Sequence, residues 1–199
     1  MKAVKKNIFI KGFAALLLSV ASLSSQATVI SFSTSGDANF TTTGVTFGGS
    51  SSPSGYQNVI AVTGSNVVAY NPYAVSPSTF TWANAGTFDL NGFTIAGAWG
   101  SQTLTIEGYS GASLVGTVDF FVDTNPSYFD AGWAALTSFV IRTGNDFVDS
   151  PLYSGSGQHW AMNDLVINEQ ISSVPEPAAF LLLGLGLIGM GFTRMKKSA

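Results

Sequence analysis

Between residues 28 and 173 no long stretch sustains an apolar repeat of 3.6 residues; short β-branched and aromatic runs alternate instead with clusters of Gly, Ser, Asn and Pro. That rhythm predicts an all-β domain, because a pattern of period two buries one side only when the backbone is extended. Strands are expected over 29–33, 38–42, 45–48, 59–63, 67–70, 79–82, 87–98, 103–109, 114–122, 136–142 and 159–168, a count that suits a two-sheet antiparallel sandwich. The chain has no cysteine. Neither a disulfide framework nor a thiolate zinc site braces it, so stability has to come from sheet packing.

Side-chain parity makes three local demands. Leu104 and Ile106 share a face with Val118, Phe120 and Val122 only if Ile106 lies opposite Val118, which calls for an odd-numbered connection through 110–113 with Gly111 at positive φ. Glu107, Asp119 and Asp123 then fall on the opposite face. Asn91-Gly92 reads either as a two-residue hairpin turn or as a bulge in one long strand. In the last strand Trp160 and Met162 have one parity and Leu165 and Ile167 the other, so an extra residue at Asn163-Asp164 is needed to turn all four inward.

Charge divides the chain. Lys2, Lys5, Lys6 and Lys11 lie at the start and Arg194, Lys196 and Lys197 at the end; between residues 28 and 173, ten acidic residues face the single Arg142. Such a surface repels phosphate backbones, so nucleic acid is not an expected partner, while divalent cations and neutral, hydroxyl-rich ligands are compatible with it.

Both ends read as export machinery. A lysine-rich start, an apolar run over 12–23 and small residues at Ser25 and Ala27 form a signal peptide over 1–27, whose cleavage by signal peptidase after Ala27 leaves Thr28 first. The other end runs Val174-Pro175-Glu176-Pro177, then an uncharged stretch over 178–192, then the basic stop Arg194, Lys196 and Lys197. A helix over 178–192 rises about 22 Å against a hydrocarbon core of about 30 Å, a marginal span that suits a temporary inner-membrane anchor. The basic residues keep that terminus cytoplasmic and the domain outside.

Val-Pro-Glu-Pro, a Gly- and Leu-rich span and a short basic end, in that order, resemble the PEP-CTERM sorting signal. The resemblance covers 174–197 and implies recognition of Pro175, Glu176 and Pro177 by an exosortase, in bacteria that make exopolysaccharide. Phe88-Asp89-Leu90, Ala98-Trp99, Leu104-Thr105-Ile106-Glu107-Gly108-Tyr109 and the segment from Trp160 to Leu165 resemble a β-sandwich ectodomain common in proteins with this tail. That second resemblance implies a jelly-roll-like antiparallel sandwich akin to carbohydrate-binding modules, and it favours the bulge at Asn91-Gly92. The division is then a signal peptide (1–27), an extracytoplasmic sandwich (28–173) and a sorting segment (174–199).

Catalytic chemistry has few carriers. His159, the sole histidine, would have to serve any Ser-His-Asp mechanism and reads instead as an imidazole packed on its neighbour. Glu107, Asp119 and Asp123 are the carboxylates a glycoside hydrolase would use, and otherwise a solvated face. No enzyme activity and no resident cofactor are expected. Calcium is the cation that the loop oxygens of Asn145, Asp146, Asp149, Asn163 and Asp164 suit, although their spacing matches no loop motif. Trp99 and Trp160 read as core; Trp82 and Trp133 are divided between core and stacking on sugar rings. The expected role is that of an exported, sorted surface or matrix protein, structural or adhesive and associated with exopolysaccharide or biofilm. The alternatives are a carbohydrate-binding module and, behind it, a surface glycan hydrolase.

Overall fold

The computed structural model describes residues 27–50, 52 and 54–168. The expected signal helix, the transmembrane helix over 178–192, the recognition residues Pro175, Glu176 and Pro177 and the basic stop Arg194, Lys196 and Lys197 lie outside the described residues. Among the described residues, no helix is long and apolar enough to cross a membrane.

The elements follow as β1 (Thr28–Ile30), β2 (Phe40–Thr43), β3 (Thr46–Gly48), α1 (Gly55–Thr63), β4 (Val68–Tyr70), β5 (Ser78–Trp82), β6 (Phe88–Gly97), β7 (Gly100–Ser110), β8 (Ser113–Val122), β9 (Ser127–Leu136), β10 (Ser138–Thr143), β11 (Val148–Asp149) and β12 (Trp160–Ile167). They form two antiparallel sheets packed as a sandwich. The first runs β3-β4-β12-β6-β9, with β1 also paired to β12; the second runs β8-β7-β10-β5-β2, with β11 on β7.

The parity demands are met with one refinement. Ile106 lies opposite Val118, and Gly111 has φ 60. The turn itself holds two residues, because Ser110 pairs with Ser113; the odd residue is Val115, set aside by a bulge between Gly108/Gly116 and Tyr109/Leu114. β6 is one continuous strand whose pairing slips around Gly92, which settles Asn91-Gly92 as a bulge. In β12 the register shifts after Asn163 and Asp164 takes φ 50. That extra residue puts Trp160, Met162, Leu165 and Ile167 all inside, none more than 2% exposed.

Two expectations need correction. The run over 59–63 is not a strand but the second half of α1. Tyr56, Val59, Ile60 and Thr63 recur at helical spacing, and Gly64 stops the helix at φ 70 by donating its N–H to Ile60 O. The strand expected over 136–142 starts at Ser138, while Leu136 closes a strand, β9, that the sequence conceals behind Asp130 and Gly132.

Aromatic rings dominate the core. Phe80 stacks on Phe139 at 4.5 Å, Phe40 stands edge-on to Phe88 at 5.2 Å, and Trp160 is fully buried beside Phe80. Burying each ring stabilises the fold by roughly 1.5–3 kcal/mol, and well-oriented ring pairs add about 0.5–1.5 kcal/mol. A second cluster lies on the outer side of the first sheet, where Tyr56 and Val59 of α1 settle on Val68, Ala96, Ala98 and Ala161. α1 therefore roofs one sheet, and no helix covers the other among the described residues.

Candidate functional site

The first functional feature is where the domain begins and ends. Thr28 pairs with Ile167 and Ile30 with Leu165, so the start of β1 lies beside the end of β12. Asn168 fixes the exit: its N–H donates to Asp89 O at 2.9 Å and its side-chain oxygen accepts from Asp89 N–H at 3.0 Å. Ala27, the expected cleavage residue, is exposed immediately before β1. The start and the end of the described domain thus emerge together, at one corner of the first sheet.

The second feature is the open outer face of the second sheet. Strands β8, β7, β10, β5 and β2 present alternate side chains there: Thr41 opposite Thr81, Thr43 opposite Thr79, Val140 opposite Glu107, and Glu107 opposite Thr117. Within this hydroxyl-rich grid, Glu107 Oε2 accepts from the Tyr109 hydroxyl at 2.8 Å and from Arg142 Nε at 3.0 Å. The carboxylate pulls the Tyr109 hydroxyl above its ordinary range and holds the Arg142 guanidinium still more firmly charged. Asp119 accepts from Thr105 Oγ1 at 2.7 Å. Asp123 lies beyond β8 and caps the next turn, accepting from Asn125 N–H at 2.7 Å. The β7 alternation placed Glu107 and Tyr109 on one face in advance; Arg142 joined them only through the β10 pairing, which no local pattern announces.

The tryptophans occupy four different settings. Trp160 is core. Trp82 packs between Phe40 and Phe88, at 5.2 and 5.3 Å. Trp133 lies across Gly108 and Gly116, partners in the β7–β8 ladder whose missing Cβ atoms leave room for the indole, with Phe129 at its edge. Trp99 sits under α1 against Tyr56 at 5.7 Å. Burial also pushes the Tyr56 hydroxyl far above its ordinary range, with Tyr70 beside it adding to the effect.

The calcium candidates are scattered. Asp146 accepts from Thr103 Oγ1 at 2.6 Å and from Thr103 N–H at 3.0 Å, which holds its carboxyl below the ordinary range. Asp149 pairs across to Gly100 in β11, and Asp164 accepts from Ser31 Oγ at 3.3 Å. Asn163 is buried, donating to Val67 O at 2.9 Å and accepting from Phe32 N–H at 3.3 Å. No group of three His, Asp or Glu side chains suited to a metal occurs among the described residues. His159 Nδ1 lies 2.9 Å from Asn71 O, within a polar knot in which Asn71 Oδ1 also accepts from Trp160 N–H.

Comparison with known proteins adds one finding at the end of the chain. No curated protein matches it. A family model described as the PEP-CTERM protein-sorting motif matches residues 173–197, beginning five residues after Asn168. A motif of this kind marks an exported protein that is sorted by an exosortase and anchored in the membrane at its C-terminus before cleavage. The chain carries a PEP-CTERM protein-sorting motif behind a β-rich ectodomain.

Proposed function

We propose that this protein is a cell-surface or extracellular-matrix component whose sandwich has a structural or adhesive, non-enzymatic role against exopolysaccharide or biofilm. The observation that carries the reading is the sorting motif at 173–197 attached to a domain whose two ends leave side by side. Ends that leave at one corner let a leader and an anchor enter one membrane without spanning the domain, and the β1–β12 pairing supplies that arrangement. The acidic, lysine-free surface supports residence in water outside the membrane. Signal peptidase acts first, after Ala27, and exosortase acts at Pro175, Glu176 and Pro177; the inner membrane holds the chain only in between.

Mass spectrometry of the mature protein from its host tests this directly. A first residue of Thr28 and a last residue before the basic stop are expected; a terminus that still includes Lys197 overturns the sorting step. Removing 174–199 should release the domain to the medium, and retention at the surface would count against the tail.

A second reading, a jelly-roll-like carbohydrate-binding module, is favoured by the hydroxyl grid on the second sheet, with Tyr109 and the exposed Phe121 at its edge. A glycan array probed with residues 28–173 distinguishes it: a blank array leaves the structural role. Hydrolysis of surface glycans is the least supported role, since Glu107 is engaged by Arg142 and Tyr109.

A further inference from the structure

Strands at sheet edges invite pairing unless they are short, bulged or charged. The other edges here are managed in these ways. β2 has four residues and β3 three, and β9 is broken by register shifts and by positive φ at Gly132 and Ala135. β8 is different. It has ten residues, pairs with β7 alone among the described strands, contains neither Lys nor Pro, and its one bulge lies at its start. Along it Val115, Val118 and Phe121 are 46%, 40% and 62% exposed.

We infer that β8 is a self-association edge, on which a second copy of this chain adds its own β8 antiparallel about a two-fold axis. The occupant is set by self-complementarity, and the register by the strand's single acid. Asp119 is the one ionised group on the strand. If outer face continues into outer face, residues of like parity must meet, which leaves few registers. Centring on Asp119 sets carboxylate against carboxylate, and centring on Thr117 sets Asp119 against Val115. Centring on Val118 places Asp119 opposite the partner strand's Thr117, the same Thr–Asp pairing that Thr105 makes with Asp119 inside the chain at 2.7 Å. It also places Val115 opposite Phe121, covering two exposed apolar side chains with one contact. The strand is complementary to its own reversed copy.

This deepens the structural reading by naming a partner, and it is testable without export or sorting. The chain has no cysteine, so a single Val118→Cys reports the centre of the pairing, where opposed Cα atoms at about 4.5–5.5 Å fit a disulfide. Full-length protein in detergent micelles is oxidised and analysed by non-reducing electrophoresis and mass. Val118→Cys should form a covalent dimer of twice the chain mass, and Leu152→Cys, 76% exposed in the loop after β11 and off the β8 strand, should stay monomeric. Adding Val115→Lys should cut the dimer yield by about tenfold with the melting temperature unchanged. Equal cross-linking at 118 and 152, an adduct with a different protein, or indifference to Val115→Lys each overturns the edge, and leaves the sorting and surface role standing.

Discussion

The outer face of the first sheet lies under α1, whereas that of the second is open to water, and the strands of the two sheets are written differently for that reason. β7, covered on one side, alternates buried and part-exposed residues almost without a break. β12, covered on both sides, buries nearly every residue it has, and its outward positions beneath the helix are small, as at Ala161. Small side chains let a helix approach the sheet; threonines and charges keep the uncovered sheet wet. One architecture therefore carries two sequence grammars, set by what covers each layer.

The core common to both sheets sets the energetic scale. Phe139→Ala, which removes a ring stacked on Phe80 and touching Phe88 and Phe93, should cost about 3–5 kcal/mol in denaturant unfolding; a loss below about 1 kcal/mol would mean that the two sheets do not share a packed interior. The contrast between the faces is sharpened by one pair of changes. Ala161→Leu pushes against α1 and should cost about 1–3 kcal/mol, while Thr81→Leu on the open face should stay within about 0.5 kcal/mol of wild type. Equal penalties would break the comparison.

A smaller effect, of opposite sign, is expected at the irregular edge. Ala135 is exposed with φ 57, a conformation that disfavours a side chain, so Ala135→Gly should raise stability by about 1 kcal/mol. The smallest effect depends on pH. Thr103 donors hold the Asp146 carboxyl below the ordinary aspartate range, so its stabilising contribution is complete above that range and disappears as pH falls through the lowered folded value. Thermal melts between about pH 5 and about pH 2 should therefore show wild type losing more stability than Asp146→Asn; parallel curves would remove Asp146 from the account.

What the sequence revealed follows the same grammar. Parity alone located the Ile106–Val118 register and the bulge at Asp164, because a misplaced residue there would have turned Trp160 or Leu165 out of the shared core. The helix was hidden because Tyr56, Val59, Ile60 and Thr63 complete only two turns, too few for the periodicity to outweigh β-branched side chains. β9 was hidden because Gly132 and Ala135 belong to its bends and not to its pleat, and because Asp130 puts a charge on the exposed side of a short regular stretch. Of the candidate sites, the terminal sorting motif was legible since its signals are contiguous, while the Glu107–Tyr109–Arg142 cluster depends on strands far apart in the chain. Among the scattered aspartates, no local pattern betrayed that Asp146 serves the backbone and hydroxyl of Thr103 and Asp164 the hydroxyl of Ser31.

The pairing of Thr28 with Ile167 also governs timing. Translocation delivers β1 first and β12 last, so the clasp that finishes the first sheet has no second half until almost the whole domain has crossed. Contacts this distant in sequence close slowly, which keeps the emerging polypeptide pliable while it is threaded. Once shut, the clasp ties the start of β1 to the strand that leads toward the sorting tail, so the last strand to arrive both closes the sheet and bears the load of the anchor.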